Sequence, residues 1–291
     1  AASDVYKRQE FEHTMYNALM ATMKNDGSQI SKYSPLEGRR QPGEEQCGMH
    51  INCCNANGPR GFALIPKTAC TIKDNHIYLN LYLPLQATIS LNKKNKVHLN
   101  VESDYPIHGK VNVNIGVQKK EKFTLALRIP TQIEKMKAYI NGEEQEITHK
   151  GGYLYIERIW ENADKVTLDF KIETKVVKLN NSQAIVRGPL LFARDSRFND
   201  GDIDECATIK CNNQGVIQAK IKKNKTGTFP WITLTVPAVL GTDLENVENK
   251  TPKLINFCDF SSSGNDWNPN GRYRVWIPQT FHAMSEPYKK Y

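Results

Sequence analysis

From residue 77 onward the sequence repeats one local pattern: short runs of alternating apolar and polar side chains, broken by turn residues. The first run, HIYLNLYLP, puts Ile77, Leu79, Leu81 and Leu83 on one face and Tyr78, Asn80 and Tyr82 on the other. Alternation at a period of two gives a strand one buried and one solvated face. Similar runs follow at 87–91, 97–102, 110–117, 123–129, 137–140, 153–160 and 166–172. Lys73-Asp74-Asn75, Asn141-Gly142 and Gly151-Gly152 supply turn chemistry between them. A second set opens with AIVRGPLLFA from Ala184 and continues at 216–221, 231–236, 253–257 and 273–277, while 174–179 reads either as a last strand or as a linker. Many short strands with regular turns and almost no helical spacing predict a mainly β fold of two antiparallel β-sandwich domains, 71–178 and 179–291.

The preceding segment is different. Residues 10–24 read as a helix with Phe11, Met15, Leu19 and Met23 on one face, Ala18 and Thr22 beside them, and Asn25-Asp26-Gly27-Ser28 as the stop. An extended piece at 30–36 and a polar loop through Glu45 follow. Pro59 suits a first helical turn, with 62–65 as its buried face and Pro66 ending it. The opening AASDVYKRQ has no apolar run of a signal peptide. Residues 4–9 match one reading frame of a common sequencing-transposon end. Residues 1–9 are therefore read as a library scar, and the rest as the C-terminal fragment of something longer.

Among the 291 residues no apolar run approaches the roughly 20 needed to cross a bilayer, so no membrane partner is expected. The net charge of +8 raises nucleic acid as a partner. The lysines, however, fall in three separate places: Lys93, Lys94 and Lys96; Lys119, Lys120 and Lys122; Lys222, Lys223 and Lys225. Each reads as a solvated hairpin tip, and no nucleic-acid partner is expected. Seven cysteines do not make a dense, even disulfide framework. Cys206 and Cys211 are placed to bridge a loop or to stay free, and the compartment stays open.

Cys53 and Cys54 stand side by side in CGMHINCCNANGPRG, ahead of what reads as a Gly-Pro-Arg-Gly turn. A bridge between neighbours is strained, because bridged Cα atoms sit about 4.4–6.8 Å apart and neighbours only about 3.8 Å. Three readings remain. A structural zinc knot usually takes Cys-x-x-Cys pairs, and none occurs here. Inert burial suits one cysteine better than two. The third is a catalytic zinc–thiolate site, in which the metal keeps sulfur anionic and nucleophilic and a following helix N-terminus acts in the same sense.

YNALMA, DGSQISKYSPLEG, EQCGMHINCCNANGPRGF and, later, GYLYIERIW, AIVRGPLLFA and RYRVWIPQ resemble family 127 of the glycoside hydrolases, typified by β-L-arabinofuranosidases. The resemblance runs from about residue 10 to the end, and the double-cysteine segment is its most specific part. It implies an (α/α)6 barrel followed by two β-sandwiches, so residues 10–70 are expected to be a helical remnant of that barrel. It implies a zinc ion held by a Glu-x-Cys pair on an earlier helix and by the two adjacent cysteines. Cys53 then matches the nucleophile and a zinc ligand, Cys54 its zinc-binding neighbour, and Tyr33 a tyrosine near the sugar subsite. The family's Glu-x-Cys and its acid/base glutamate are expected upstream, absent from this chain. Glu45-Gln46-Cys47 spells Glu-x-Cys, but only six residues before the pair and on what reads as a loop. The implied activity is retaining exo-hydrolysis of an arabinose-containing glycan by the intact parent, the fragment alone being inactive. The alternative is a non-catalytic carbohydrate-binding or structural module with idle cysteines.

Other residues are weighed singly. His50 is a candidate contact for zinc or sugar, against the plain reading of a hydrogen-bonding loop residue. Arg60 is a candidate clamp for sugar hydroxyls or for the Glu37 carboxylate, and the second role, anchoring its turn, is expected. Trp160, Trp231 and Trp276 read as core, while Trp267, amid Gly264-Asn265-Asp266 and Asn268-Pro269-Asn270, is the best candidate for an exposed sugar platform. Asp195 and the acidic run 200–204 match no EF-hand spacing and read as a solvated loop.

Overall fold

The structure, a computed structural model, describes residues 2–42, 53–91, 95–146, 149–241 and 251–279. The chain begins with helix α1 (Ala2–Thr14), which runs through a π-helical stretch (Met15–Leu19) into a last α-turn (Met20–Thr22), followed by the short strand β1 (Glu37–Gly38) and helix α2 (Cys53–Ala69). The residues expected as a scar are thus helical, and the helix starts at Ala2 instead of residue 10. A π-turn adds one residue per turn and shifts the phase of everything after it. The expected face does not persist for that reason: Met15, Tyr16 and Ala21 are buried, whereas Ala18 and Met23 are exposed. Among the described residues no helix is long and apolar enough to cross a membrane.

The strands group into two compact units, residues 1–15 with 59–173 and residues 16–58 with 174–291. Strands of the first unit are β2 (Cys70–Lys73), β3 (His76–Leu79), β4 (Leu85–Ser90), β5 (Lys96–Ser103), β6 (Lys110–Val117), β7 (Glu121–Arg128), β8 (Lys135–Ile140), β9 (Glu143–Gln145), β10 (His149–Lys150), β11 (Tyr153–Trp160) and β12 (Lys165–Lys171). They form a five-stranded sheet in the order β10-β11-β7-β3-β2 and a six-stranded sheet in the order β4-β5-β6-β12-β8-β9. Every pair is antiparallel except β3 with β7, which is parallel and corrects the all-antiparallel expectation. The alternation falls as expected on β5 and β6, where Val97, Leu99 and Val101 and then Val111, Val113, Ile115 and Val117 are buried.

The second unit carries β13 (Thr174–Leu179), β14 (Ser182–Arg187), β15 (Leu190–Asp195), β16 (Ala207–Ile209), β17 (Lys220–Lys223), β18 (Ile232–Leu240), β19 (Lys253–Asp259), β20 (Tyr273–Arg274) and β21 (Ile277–Pro278), which with β1 make a ten-stranded sheet system. Residues 174–179 are a strand paired along β14, not a linker. The strand expected at 216–221 shrinks to β17, with one isolated bridge at Val216. Lys222 and Lys223 end β17 and Lys225 stands in the loop to β18, so this cluster lies exposed at the tip of the β17–β18 hairpin, as expected. Lys119, Lys120 and Lys122 sit where the chain crosses from one sheet to the other; Lys120 and Lys122 pair with Glu161 and Glu157 at 2.6 and 2.7 Å. Lys93 and Lys94 lie outside the described residues.

Each unit is pinned by a buried cation. In the first, the Arg128 guanidinium donates to the Glu12 carboxylate and, through Nε, to the Asn80 carbonyl at 2.5 Å. Both charged side chains are essentially inaccessible to water. In the second, Arg40 lies between the rings of Phe260 and Tyr273, its guanidinium carbon 4.9 Å from each ring centre. It donates to the carbonyls of Ser263, Ala21 and Phe260. Burial holds the Arg40 guanidinium below its ordinary value.

Candidate functional site

Helix α2 opens on Cys53 and Cys54, so the expected Gly-Pro-Arg-Gly turn is helical, with Pro59 and Pro66 inside the helix. A Cβ at Gly58 would lie 2.8 Å from Ile30 Cγ1, so this glycine serves close helix packing, not a turn. The expected buried face is only partly covered: Phe62 and Ile65 are half-buried and Ala63 and Leu64 exposed. The first turns of α2 are tied to the segment after α1, because the Ile30 N–H donates to Asn55 Oδ1 at 2.8 Å. Three residues further on lies Tyr33, which is 58% exposed. Its carbonyl accepts from the Ser31 hydroxyl at 2.8 Å, and the Lys32 ammonium sits 5.4 Å from its ring centre. The segments that carry Cys53, Cys54 and Tyr33 therefore adjoin in one unit, through a tether (Asn55) that sequence reasoning missed.

Cys53 is exposed and Cys54 half-buried, and neither takes part in a disulfide. They stand in the first described turn of α2, toward the positive end of the helix macrodipole. His50, Glu45 and Cys47 lie outside the described residues. Two adjacent sulfurs are the donor chemistry zinc takes, but a closed site needs four ligands. Among the described residues no group of three or more His, Cys, Asp or Glu side chains is placed to hold a metal ion.

Cys206 and Cys211 are both free thiols, which settles the open pairing. Burial pushes the Cys70 thiol up to about 11 and the Cys258 thiol well above its ordinary value. Glu37 pairs with Arg274 at 3.1 Å, a partner contributed by the neighbouring strand β20 that no local spacing announces in place of Arg60. The acidic loop is not merely solvated. Asp195 is buried, pairs with Arg197 at 2.7 Å and accepts the Gly264 N–H at 2.9 Å. Asp200 pairs with Arg194, and Asp204 with Arg272 and Arg274. Arginines from the same and neighbouring strands neutralise it, which the acidic spacing alone does not reveal.

Trp160 is core, donating its indole N–H to the Phe123 carbonyl at 3.0 Å. Trp231 is half-buried and stacks on Tyr16 at 6.3 Å, and Trp276 packs against the cluster around Phe260 and Tyr273. Trp267 is half-buried and borders a cleft in the second unit.

This architecture is one found in glycoside hydrolases. The fold is shared with a GH127 β-L-arabinofuranosidase of Geobacillus stearothermophilus T6 at TM-score 0.74 and 21% identity over 94% of this chain and 46% of that one. It is shared with a structure described as a glycoside hydrolase at TM-score 0.73 and 21% identity (95% and 49% covered), and with a GH127 β-arabinofuranosidase at 0.71 and 22% (94% and 46%). The chain thus spans about half the length of the structures it matches. Residues 76–172 match the profile of the β-L-arabinofuranosidase GH127 middle domain, and over that third of its length the chain is GH127-like. A search of curated proteins finds no match.

Proposed function

We propose that this chain serves a retaining glycoside hydrolase acting on β-L-arabinofuranosyl or related glycans, with Cys53 as nucleophile. The observation that carries the reading is the adjacent pair of cysteines in the first turn of α2, neither in a disulfide, one exposed and one half-buried, in a chain whose fold follows GH127 structures. Cys53 Sγ attacks the anomeric carbon as the glycosidic C–O bond breaks, and the departing oxygen takes a proton from a carboxylic acid. Water then attacks the same carbon while giving a proton back to that carboxylate, the C–S bond breaks, and the thiolate leaves. Two displacements at one carbon give net retention. No carboxylate among the described residues is assigned the acid's role. Zinc, when bound, holds coordinating thiols deprotonated. Cys53 and Cys54 would supply two of its ligands. Tyr33, on the adjoining segment, is assigned to the sugar subsite, and His50 to a sugar or metal contact.

The alternative is a non-catalytic carbohydrate-binding or structural module with idle cysteines. The two readings separate in one experiment on the protein as its gene encodes it. Turnover of 4-nitrophenyl β-L-arabinofuranoside and zinc content are measured for the parent and for Cys53→Ser and Cys54→Ser. The enzymatic reading expects turnover with retained configuration, its loss in Cys53→Ser, and lowered zinc in both variants. Undiminished turnover with serine at 53 refutes the nucleophile. Absence of both turnover and zinc supports the module.

A further inference from the structure

The second unit contains a cleft of about 380 Å³, within the usual range for small-molecule sites, bordered by Lys24, Gln29, Arg39, Gln41, Asp266 and Trp267. Its walls are fixed. The turn after α1 closes through the Lys24 N–H to the Gln29 carbonyl at 3.0 Å, and is tied to the Trp267 loop by the Asn25 N–H to the Asn265 carbonyl at 2.9 Å. Arg39 reaches the same loop, Nη1 donating to the Pro269 carbonyl at 3.3 Å. The buried Arg40 beneath holds the chain at its base, so the cleft exists before any ligand arrives.

Trp267 stands out in this wall. Its φ of +54° lies in the left-handed region, where a bulky aromatic residue is an outlier. Its indole N–H is shut off from water and, among the described residues, has no acceptor. The left-handed turn is closed by the Trp267 N–H to the Gly264 carbonyl at 3.1 Å, but the indole N–H stays unsatisfied among those residues, and departures of this kind cluster at binding sites. The charges are equally uneven. Lys24 is paired with Asp26 at 3.2 Å, and Asp266 with Arg197 at 3.6 Å. Arg39 is exposed and, among the described residues, meets no carboxylate. Gln29 and Gln41, whose side-chain amides have both donor and acceptor capacity, line the same space.

We infer that this cleft binds a hexuronate unit of an acidic glycan. A guanidinium fork matches a carboxylate, an indole matches the apolar face of a pyranose ring, and side-chain amides match vicinal hydroxyls. The inference goes beyond the cysteine chemistry and stands without it, since it concerns binding and not hydrolysis. The test is calorimetric titration of the full chain with trigalacturonate and with neutral xylotriose. Trigalacturonate is expected to bind one per chain, about tenfold or more tighter than xylotriose, and Arg39→Gln to lose about tenfold or more of that affinity. Lys222→Gln, an exposed change on β17, is expected to lose none. Trp267→Ala, checked for folding by circular dichroism, is expected to weaken binding of the acidic sugar as well. The inference is overturned by no binding, by equal binding of xylotriose, by unchanged affinity in Arg39→Gln, or by equal losses in Arg39→Gln and Lys222→Gln, which would mark general charge attraction.

Discussion

Truncating Glu12 to alanine removes the only carboxylate paired with Arg128 among the described residues, and Arg128 is 1% exposed. The guanidinium keeps the Asn80 carbonyl but loses its counter-charge. The Tyr105 hydroxyl, 3.3 Å from Glu12 Oε2, loses an acceptor at the same time. Breaking a buried pair from one side costs about 3–5 kcal/mol, because the remaining charge cannot be rehydrated. The unit holding the pair comprises residues 1–15 and 59–173, or 15 + 115 = 130 residues. For that size each kcal/mol lowers the melting temperature by roughly 3–5 °C, so a fall of about 10–20 °C is expected. Replacing both partners by methionine restores most of the loss, since an apolar pair of similar volume is often neutral relative to a buried ion pair. Calorimetry reads the transition, and hydrogen exchange at β7 and β11 confirms that the loosened unit is the one holding Arg128. A folded Glu12→Ala within about 1 kcal/mol of the parent, with the double variant no better, refutes the reasoning.

Three further outcomes are expected. Gly109→Ala puts a Cβ 1.8 Å from the Phe170 carbonyl oxygen, where backbone meets backbone and nothing can yield cheaply, so soluble expression or melting temperature should fall sharply, unlike Gly27→Ala, whose Cβ meets nothing within 4 Å and which carries only the cost of a left-handed φ. Iodoacetamide at neutral pH should modify exposed Cys53 and Cys211 first and buried Cys258 last, as read by peptide mass mapping, with Cys70 slow because burial raises its thiol to about 11; early loss of Cys258 contradicts the packing. Asp26 is held at about 2 by the Ser28 hydroxyl and N–H, so its stabilising contribution is complete above the ordinary carboxylate range and is lost as pH falls through about 2; carboxylate NMR should show that midpoint, and Ser28→Ala should raise it.

The local grammar of this chain is written in residue types. Asp74 and Asn75, Asn141 and Gly142, and Gly151 and Gly152 all adopt positive φ, which is why these pairs could be recognised as turns before any partner strand was known. The alternating valines of β5 and β6 announced which face is buried, because side-chain direction in a strand depends on nothing beyond the strand. The doublet Cys53-Cys54 was visible for the same reason. Other features were not local. The π-turn at Met15–Leu19 shifts a helix face that the spacing of Phe11, Met15, Leu19 and Met23 had placed elsewhere. The parallel β3–β7 pair joins strands more than forty residues apart. Pairing of Glu12 with Arg128 and of Glu37 with Arg274, and acceptance of the Gly264 N–H by Asp195, rest on which distant segments become neighbours, and isolated charges read as solvated until a fold brings their partners in. Strand periodicity and turn conformation are properties of a few consecutive residues, so they survive in the linear text. Burial of charge, closure of a cleft around Trp267 and the seating of Gly58 on Ile30 arise only when distant segments exclude water together, and that cooperation belongs to the folded chain.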